Sequence, residues 1–265
     1  MSRVAADGYE SPVEVINPAG RGRVVLVCEH ASSLVPPHLN GLGLPRAEIE
    51  RHIGWDIGAL GLALECSRLL DAPLVYARYS RLVLDVNRPV DAPDSIVESS
   101  EDTQIPGNRR LDSAERELRQ RAIYAPFHAA LASVVAARSA TDADLAVINI
   151  HSFTPVYRGV ARPWQVGVLS DTDRRLADGL LRELGFEAGL VVGDNQPYSP
   201  RDRVYHTLER HAQSQGLLSA MIEIRNDGLG SSADQHAWAQ RLCRALRAAL
   251  ALVQRHPVQQ PSGAR

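Results

Sequence analysis

Two histidines and a glutamate stand in or directly after apolar segments that are typical of buried strands. His30 follows RVVLVCE, His151 ends DLAVINIH, and Glu223 lies within LSAMIEIR. In open α/β sheets, ligands bind beyond the carboxyl ends of the strands. A single histidine at a strand end is more often structural, but two at the same edge of a sheet favour a functional site.

Zinc in hydrolases takes three protein ligands of nitrogen or oxygen type and keeps a fourth position open for water. His30 and His151 supply two of these ligands, and the segment RHIGWDIGA offers His52 and Asp56 for the third. The four-residue spacing of this pair predicts one helix face, although a solvated polar face would show the same pattern. Glu29 is a weaker candidate, because successive residues of a strand point to opposite sides. Co²⁺, Ni²⁺ or Fe²⁺ suits the same ligands.

A carboxylate in an apolar strand must pair with a cation or shift its pKa. Arg225 lies two residues after Glu223, on the same side of the strand, and an ion pair between them is one interpretation. The functional interpretation is a general base for water activated by zinc.

Three arginines lie near these groups in the predicted arrangement, namely Arg81, Arg88 and Arg225. Arginine binds carboxylates through two parallel hydrogen bonds, so the set favours an anionic substrate. Asn87 and Arg88 could instead form only a strand-end cap. Asp194, Asn195 and Tyr198 belong to the loop GDNQPYSPRD, which could close over a substrate or form a surface turn.

The elements that must position these groups alternate between strands and helices. Such alternation predicts an α/β fold with a mainly parallel or mixed central sheet and helices on both faces. The predicted strands are Arg23–Glu29, Pro73–Ser80, Leu82–Asn87, Asp144–His151, Gln165–Ser170, Leu190–Asp194 and Leu218–Arg225. The predicted helices are Glu48–Leu70, Asp112–Arg138, Thr172–Leu184 and Ala233–Arg255.

Length and composition exclude several classes of protein. The chain has 265 residues, 45% of them hydrophobic, and a net charge of −2, which argues against a disordered chain and against nucleic acid as the main partner. We expect a single domain over residues 1–256 and a flexible tail over 257–265. The three cysteines form no pair motif, and neither a signal peptide nor a membrane span is evident, so a cytoplasmic location is expected.

Six ordered motifs between residues 28 and 227 together resemble the N-formylglutamate amidohydrolase (deformylase) family. They are CEHASS (28–33), HIGWDIGA (52–59), SRLVLDVNRP (80–89), INIHSFTP (148–155), GDNQPYS (193–199) and IEIRND (222–227). The resemblance implies the phosphorylase/hydrolase-like fold that zinc carboxypeptidases and aspartoacylase-type deacylases share.

The resemblance also implies roles for individual residues. In those relatives an Asn-Arg dipeptide after an aspartate holds the substrate carboxylate, a histidine on a later strand binds zinc, and a later glutamate is the base. DVNR at 85–88, His151 and Glu223 match these parts. The relatives take a second zinc ligand from an HxxE motif, but Ser33 stands three residues after His30, so we choose Asp56 with His52 as the alternative.

The expected activity is therefore a zinc-dependent cleavage of an N-acyl acidic amino acid, such as N-formyl-L-glutamate to formate and glutamate. Zinc would be held by His30, Asp56 and His151, with Glu223 as base. Arg81 or Arg225 would stabilise the oxyanion, and Asn87 and Arg88 would hold the α-carboxylate. The alternatives are a hydrolase for another N-acyl amino acid or a small peptide, and a non-catalytic carboxylate-binding relative. Neither nucleic acid nor membrane is an expected partner, and the oligomeric state is left open.

Overall fold

A mixed sheet of seven strands forms the centre of the computed structural model, which describes residues 8–142 and 144–255. The strands of the described residues are β1 (Val13–Ile16), β2 (Val24–Cys28), β3 (Leu74–Ala77), β4 (Ser99–Ser100), β5 (Thr103–Gln104), β6 (Ala146–Phe153), β7 (Val156–Tyr157), β8 (Val160–Ala161), β9 (Val166–Leu169), β10 (Val192–Asp194) and β11 (Leu218–Arg225). The sheet order is β1-β3-β2-β6-β11-β9-β10, while β4–β5 and β7–β8 are separate two-stranded ribbons.

The four central strands β3, β2, β6 and β11 are parallel, whereas β1 and β9 run antiparallel to their inner neighbours. All residues of β2 and β6 are buried, which explains their continuous apolar sequences. In the register of β11 with β6, Glu223 pairs with His151. Because directly paired residues of parallel strands point to the same side, the base candidate and the ligand candidate share one face of the sheet.

Helices cover both faces of this sheet, which confirms the predicted fold class. The helices are α1 (Arg46–Ile49), α2 (Ala59–Leu70), α3 (Ser113–Arg119), α4 (Ala125–Ser139), α5 (Arg175–Gly185), α6 (His206–His211) and α7 (Ser232–Arg255), and one π-helical turn (Gln120–Tyr124) joins α3 to α4. One core cluster packs α2, α5 and α7 against the sheet, and the other includes α4 and α6. None of the helices in the described residues is long and apolar enough to cross a membrane. The predicted tail, 257–265, lies outside the described residues.

The predicted strand Leu82–Asn87 is wrong, because this segment forms turns. The hydroxyl of Ser80 accepts a hydrogen bond from the Leu82 N–H, and Oδ1 of Asp85 accepts one from the Asn87 N–H. Such local side-chain bonds compete with a strand ladder. Its apolar residues still contribute to the core. Edge strand β1 was not predicted.

The predicted helix Glu48–Leu70 is also wrong in its middle. α1 ends at Ile49 and α2 begins at Ala59, with turns between them. Gly58 adopts φ +80°, a left-handed conformation that favours glycine, and a side chain at Gly54 would meet the Ile49 carbonyl. His52 and Asp56 therefore do not lie on one helix face, and the Asp56 N–H instead donates to the carbonyl of His30 at 2.9 Å.

A buried pair of histidines, one on α4 and one on α6, connects these two helices. His128 contacts the Val86 carbonyl through Nε2 at 2.9 Å and His211 Nε2 through Nδ1 at 2.8 Å. A carbonyl only accepts, so His128 donates from Nε2 and accepts at Nδ1 from His211. Burial, followed by the neighbouring His211, lowers the pKa of His128 to about 3, and burial lowers the pKa of His211 to about 4.

This pair predicts a loss of stability in mild acid. In the unfolded protein these histidines bind protons below about pH 6.5, whereas in the folded protein they stay neutral down to about pH 4. The free energy of unfolding therefore decreases as the pH falls from 6.5 to about 4. By pH 5 the loss is about 2 kcal/mol for each histidine. His211→Gln should therefore lower the free energy of unfolding, relative to wild type, by less at pH 5 than at pH 8, as measured by urea titration. An equal cost at both pH values would contradict the neutral pair.

Candidate functional site

A cavity of about 250 Å³ opens beyond the carboxyl ends of β2, β6 and β11. The turns after β2, the segments after α1 and β3, and the loop before α6 complete its walls. Polar and charged side chains dominate the lining: His30, His52, Asp56, Arg81, Asp85, Asn87, Arg88, Asp94, Ser100, Glu101, His151, Ser152, Tyr157, Tyr198 and Glu223. The cavity lies at the edge of the sheet where the sequence predicts the site, and His30, His151 and Glu223 are in its lining.

Three buried side chains converge at the floor of the cavity. One potential ligand atom each from His30, Asp56 and His151 lies within 4.8 Å of the others. Oδ2 of Asp56 lies 2.8 Å from Nδ1 of His151 and 3.4 Å from Nδ1 of His30. These are the three residues predicted as metal ligands, so this group can hold a metal ion.

Each histidine of this triad has a carboxylate behind its far nitrogen. Nε2 of His30 lies 2.8 Å from Oδ1 of Asp85, and Nε2 of His151 lies 3.2 Å from Oε2 of Glu29. Arg81 can only donate to Nδ1 of His30, at 3.1 Å, so that nitrogen accepts and the proton faces Asp85. Carboxylates in such positions orient metal-binding histidines and set their tautomer.

The electric field at the triad favours a cation. Burial alone would lower the pKa of His151, but the carboxylates of Glu29 and Asp56 outweigh burial and raise its pKa well above the usual range. The pKa of His30 is also raised, because Asp85 and Asp56 outweigh burial and the neighbouring Arg81. Burial would raise the pKa of Asp56, yet Arg81 and the histidines lower it well below its usual value.

Unsatisfied buried atoms support the fit of a divalent ion. Oε2 of Glu223, in the same cavity, lacks a hydrogen-bond partner, and Oδ1 of Asp56 lacks a well-aligned one although Arg81 lies 3.0 Å from it. Native proteins rarely leave such atoms unpaired without a functional reason. The triad donors have the spacing and chemistry for one ion with bonds of about 2.0–2.2 Å.

His52, the alternative third ligand, lies beside the triad rather than within it. Its Nδ1 atom is 3.6 Å from Oδ1 of Asp56, and its backbone carbonyl accepts a close hydrogen bond from Nη2 of Arg81. Burial, followed by Arg81, lowers the pKa of His52 to about 3. Asp56 is therefore the residue that completes the triad with His30 and His151.

Glu223 has the environment of a general base. The side chain is 5% exposed, lines the cavity, and is paired in register with His151 on the neighbouring strand. Burial raises its pKa to about 7, although the nearby His151 opposes this shift. Its expected ion pair with Arg225 does not form, because Arg225 pairs with Asp227 at 2.9 Å.

Arg81 enters the cavity from the turn after β3. Its Nη1 atom lies 3.0 Å from Oδ1 of Asp56, and its Nε atom donates to the Ile53 carbonyl at 3.1 Å. Together with the bond to the His52 carbonyl, these contacts fix the guanidinium beside the triad.

Asn87 and Arg88 line the cavity but also serve the fold. The Asn87 side chain donates to the Val204 carbonyl at 2.6 Å and accepts from the Thr207 N–H at 3.0 Å, and the residue is 2% exposed. Each amide atom of Asn87 thus has one backbone partner, so the side chain ties this turn to the start of α6, and substrate binding by Asn87 stays a prediction. Arg88 donates from Nη1 to the carbonyls of residues 202 and 203 at 2.9 and 2.6 Å, while its Nε is 3.6 Å from Asp85.

The other predicted substrate residues divide between the cavity and the surface. Tyr198 lines the cavity. Asp194 pairs with Arg174 at 2.8 Å, and Asn195 accepts from the Ser170 N–H at 3.0 Å, outside the cavity lining. Arg225 lines a different surface depression and donates to the Arg162 carbonyl at 3.1 Å. Asp194, Asn195 and Arg225 therefore do not contact this cavity.

Sequence reasoning did not assign roles to Glu29, Asp85 and Arg162. Glu29 directly follows β2, which ends at Cys28. The alternation of side chains along a strand, which made Glu29 a weaker candidate than His30, therefore does not apply to this residue. Asp85 belongs to the matched motif DVNR, and its place in that motif, two residues before Asn87, was the sequence feature that could have pointed to it. Arg162 is a buried arginine in an aromatic segment, VYRGVARPW, and no local pattern marks it.

Comparisons with known proteins show the family and the fold of this chain. The family model for N-formylglutamate amidohydrolase matches residues 22–229. A crystal structure of a gene product from Agrobacterium tumefaciens is 44% identical, with a TM-score of 0.91, and the match covers 95% of this chain and 100% of that one. The crystal structure of N-formylglutamate amidohydrolase from Ralstonia eutropha shares the fold at 20% identity and a TM-score of 0.67, over 92% and 99% of the two chains. Curated protein sequences gave no match.

The triad predicts the metal-binding behaviour of the purified protein. After removal of metal, one Zn²⁺ per chain should bind in a competition titration with a chelating dye. His151→Ala and Asp56→Asn should abolish this binding, and Asp85→Ala should weaken it roughly 10- to 100-fold through loss of the partner behind His30. His236→Ala, on the exposed side of α7, is the control and should bind as wild type. Unchanged binding in Asp56→Asn would exclude the triad as the metal site.

Proposed function

Because the chain belongs to the N-formylglutamate amidohydrolase family, we propose that it hydrolyses the amide bond of an N-formylated acidic amino acid, with N-formyl-L-glutamate as the first candidate. The products are formate and the free amino acid. The observation that carries this proposal is the register of Glu223 with His151 beside the triad. A base with a pKa of about 7 there stands next to a group that suits a divalent cation.

The proposed resident cofactor is Zn²⁺, held by His30, Asp56 and His151, and other divalent metals fit the same donors. When bound there, it would supply Lewis-acid chemistry by polarising the amide carbonyl and making water more acidic. The donor set of two imidazoles and one carboxylate suits this ion.

In the proposed reaction, Glu223 moves the proton. Its free Oε2 atom accepts a proton from the attacking water while the water oxygen forms a bond to the formyl carbon. Glu223 then delivers that proton to the amide nitrogen as the C–N bond breaks. A carboxyl group with a pKa near the working pH can both accept and return a proton efficiently.

Arg81 is the proposed partner of the carbonyl oxygen as negative charge develops there. Backbone carbonyls of residues 52 and 53 hold its guanidinium, so it needs little rearrangement to act. Arg88 is the proposed partner of the substrate α-carboxylate, because it lines the cavity and the 202–203 carbonyls fix its Nη1. Asn87 acts as a positioning residue in this scheme, since it ties the Asp85–Arg88 turn to the start of α6.

The proposal extends to the surroundings of the enzyme. The substrate is small and anionic, and the protein needs neither nucleic acid nor membrane for this reaction. All three cysteines are free and buried, which suits the reducing cytoplasm.

A direct assay tests the proposed function. Purified protein is loaded with Zn²⁺ and incubated with N-formyl-L-glutamate, and formate is measured with and without a chelator. Chelator-sensitive release of formate supports the proposal. Zinc binding without turnover of N-formyl-L-glutamate moves the substrate to another N-acyl amino acid, to be found with a panel. Absence of both zinc binding and turnover overturns it in favour of a carboxylate-binding relative.

Replacement of the base predicts a loss of chemistry without a loss of metal. Glu223→Gln should lower kcat by roughly 10²- to 10⁴-fold, which is the usual contribution of general-base catalysis. Zinc content should remain at the wild-type level. The matched control is Glu65→Gln, a partly exposed glutamate on α2 that pairs with Arg68 outside the cavity, and it should retain full kcat. A Glu223→Gln protein with kcat within threefold of wild type would exclude this role.

The pH dependence of kcat/KM should report the same carboxyl group. Below its pKa, Glu223 is protonated and cannot accept a proton, so kcat/KM should fall about tenfold per pH unit on the acid side. Burial sets the pKa near 7 in the metal-free protein, and a bound cation lowers it, so the limb should lie at or below pH 7. A profile that is flat from pH 8 to pH 4 would be inconsistent with this base.

A further inference from the structure

One buried cation beside the cavity has no acidic partner. Arg162 is 8% exposed, and within the described residues its guanidinium forms no ion pair. The two arginines of the cavity lining differ in this respect, because Arg81 contacts Asp56 at 3.0 Å and Arg88 contacts Asp85 at 3.6 Å. A buried charge without a partner is costly, so a position that keeps one calls for an anion from outside the chain.

Aromatic rings surround this guanidinium at the wall of the cavity. Its central carbon lies 4.7 Å from the ring centre of Tyr157, 4.8 Å from that of Tyr198 and 5.6 Å from that of Phe153. Both tyrosines line the cavity. An arginine stacked on aromatic faces is shielded from water yet keeps its N–H edge for a planar carboxylate.

The fold itself makes little use of the Arg162 side chain. Its main chain closes the β7–β8 ribbon, where the N–H donates to the Pro155 carbonyl at 2.8 Å and the carbonyl accepts from Arg225 at 3.1 Å. The side chain makes one long hydrogen bond, 3.5 Å from Nη1 to the Thr154 carbonyl. A side chain retained for packing alone would not need a charge at this place.

Tyr198 connects Arg162 to the catalytic end of the cavity. The charges of both Glu223 and Arg162 act on its phenol, and burial is the main cause that raises its pKa to about 12. The hydroxyl therefore stays protonated at neutral pH and can donate a hydrogen bond to an anion. Tyr198 and Glu223 both line the cavity, and Arg162 lies directly behind Tyr198, with its central carbon 4.8 Å from that ring centre.

We propose that Arg162, with Tyr198, forms the subsite for the side-chain carboxylate of the substrate. The inference rests on the proposed function and adds to it the residues that would select an acidic over a neutral side chain. In the proposed reaction, Arg88 on the 82–108 segment binds the α-carboxylate. Arg162 lies on a different segment, at the end of the β7–β8 ribbon that follows β6. The proposed reaction assigns Arg81 to the carbonyl oxygen and Arg88 to the α-carboxylate, so we assign Arg162 to the second carboxylate.

The test compares a charged substrate with its uncharged isostere. Zinc-loaded wild type should hydrolyse N-formyl-L-glutamate with a higher kcat/KM than N-formyl-L-glutamine. Arg162→Gln should lower kcat/KM for the glutamate substrate roughly 10- to 100-fold, mainly through KM, and change the glutamine substrate less than threefold, because only the former loses a charged hydrogen bond. Arg162→Lys should recover part of the preference.

Arg241→Gln is the matched control. Arg241 also stacks on an aromatic ring, with its central carbon 4.5 Å from the ring centre of Trp238, but it lies outside the cavity. It should behave as wild type toward both substrates. If Arg162→Gln does not fold, as judged by thermal unfolding, Tyr198→Phe provides the second test and should lower kcat/KM selectively for the glutamate substrate.

The outcomes separate this inference from the proposed function. Formate release with equal losses on both substrates, or without preference in wild type, keeps the hydrolase and overturns the subsite. If neither substrate is cleaved, the proposed function fails, and calorimetric binding of glutarate to zinc-loaded protein decides the subsite alone. Binding that Arg162→Gln abolishes supports it, and equal binding by wild type and Arg162→Gln overturns it.

Discussion

The buried carboxylate of Asp56 is the constraint on which the rest of the site depends. At 1% exposure it must be surrounded by groups that stabilise its charge. Arg81, His30 and His151 contact it, and the Ser152 N–H donates to it at 3.3 Å. Removal of any one of these groups would reduce the stabilisation of this buried charge. The same carboxylate that organises the site is the anionic member of the triad that could hold a metal ion.

The fold supplies this arrangement by interrupting a helix. The chain leaves α1 and enters α2 through turns that require Gly54 and Gly58, and the Asp56 N–H bonds to the carbonyl of His30. A continuous helix would carry the carboxylate away from the edge of the sheet. The two histidines and the proposed base, Glu223, lie in or just after parallel strands β2, β6 and β11 and so reach the same edge of the sheet. Parallel sheets bind their ligands at this edge.

One short segment serves both the site and the packing of the second helical layer. Asp85 orients His30, Asn87 holds the loop before α6 and the start of α6, and the carbonyl of Val86 accepts from His128 on α4. The carboxylate-binding candidate Arg88 comes directly after them. The position of this wall of the cavity is therefore coupled to the packing of α4 and α6.

The sequence by itself indicated most of the central sheet, because the apolar runs of β2, β6 and β11 are typical of buried strands and carry His30, His151 and Glu223 in or just after them. The similar run Leu82–Asn87 forms turns, so the sequence did not separate strands from turns in every apolar run. It also named Asp56, but through a helix that does not exist. Tertiary structure alone decided which polar groups meet. The Asn87 side chain bonds to the backbone near α6, and Arg225 forms an ion pair with Asp227. Within the described residues, buried Arg162 forms no ion pair. The physical reason is that hydrophobic periodicity is local, whereas the partners of a buried charge come from segments that lie far away along the chain.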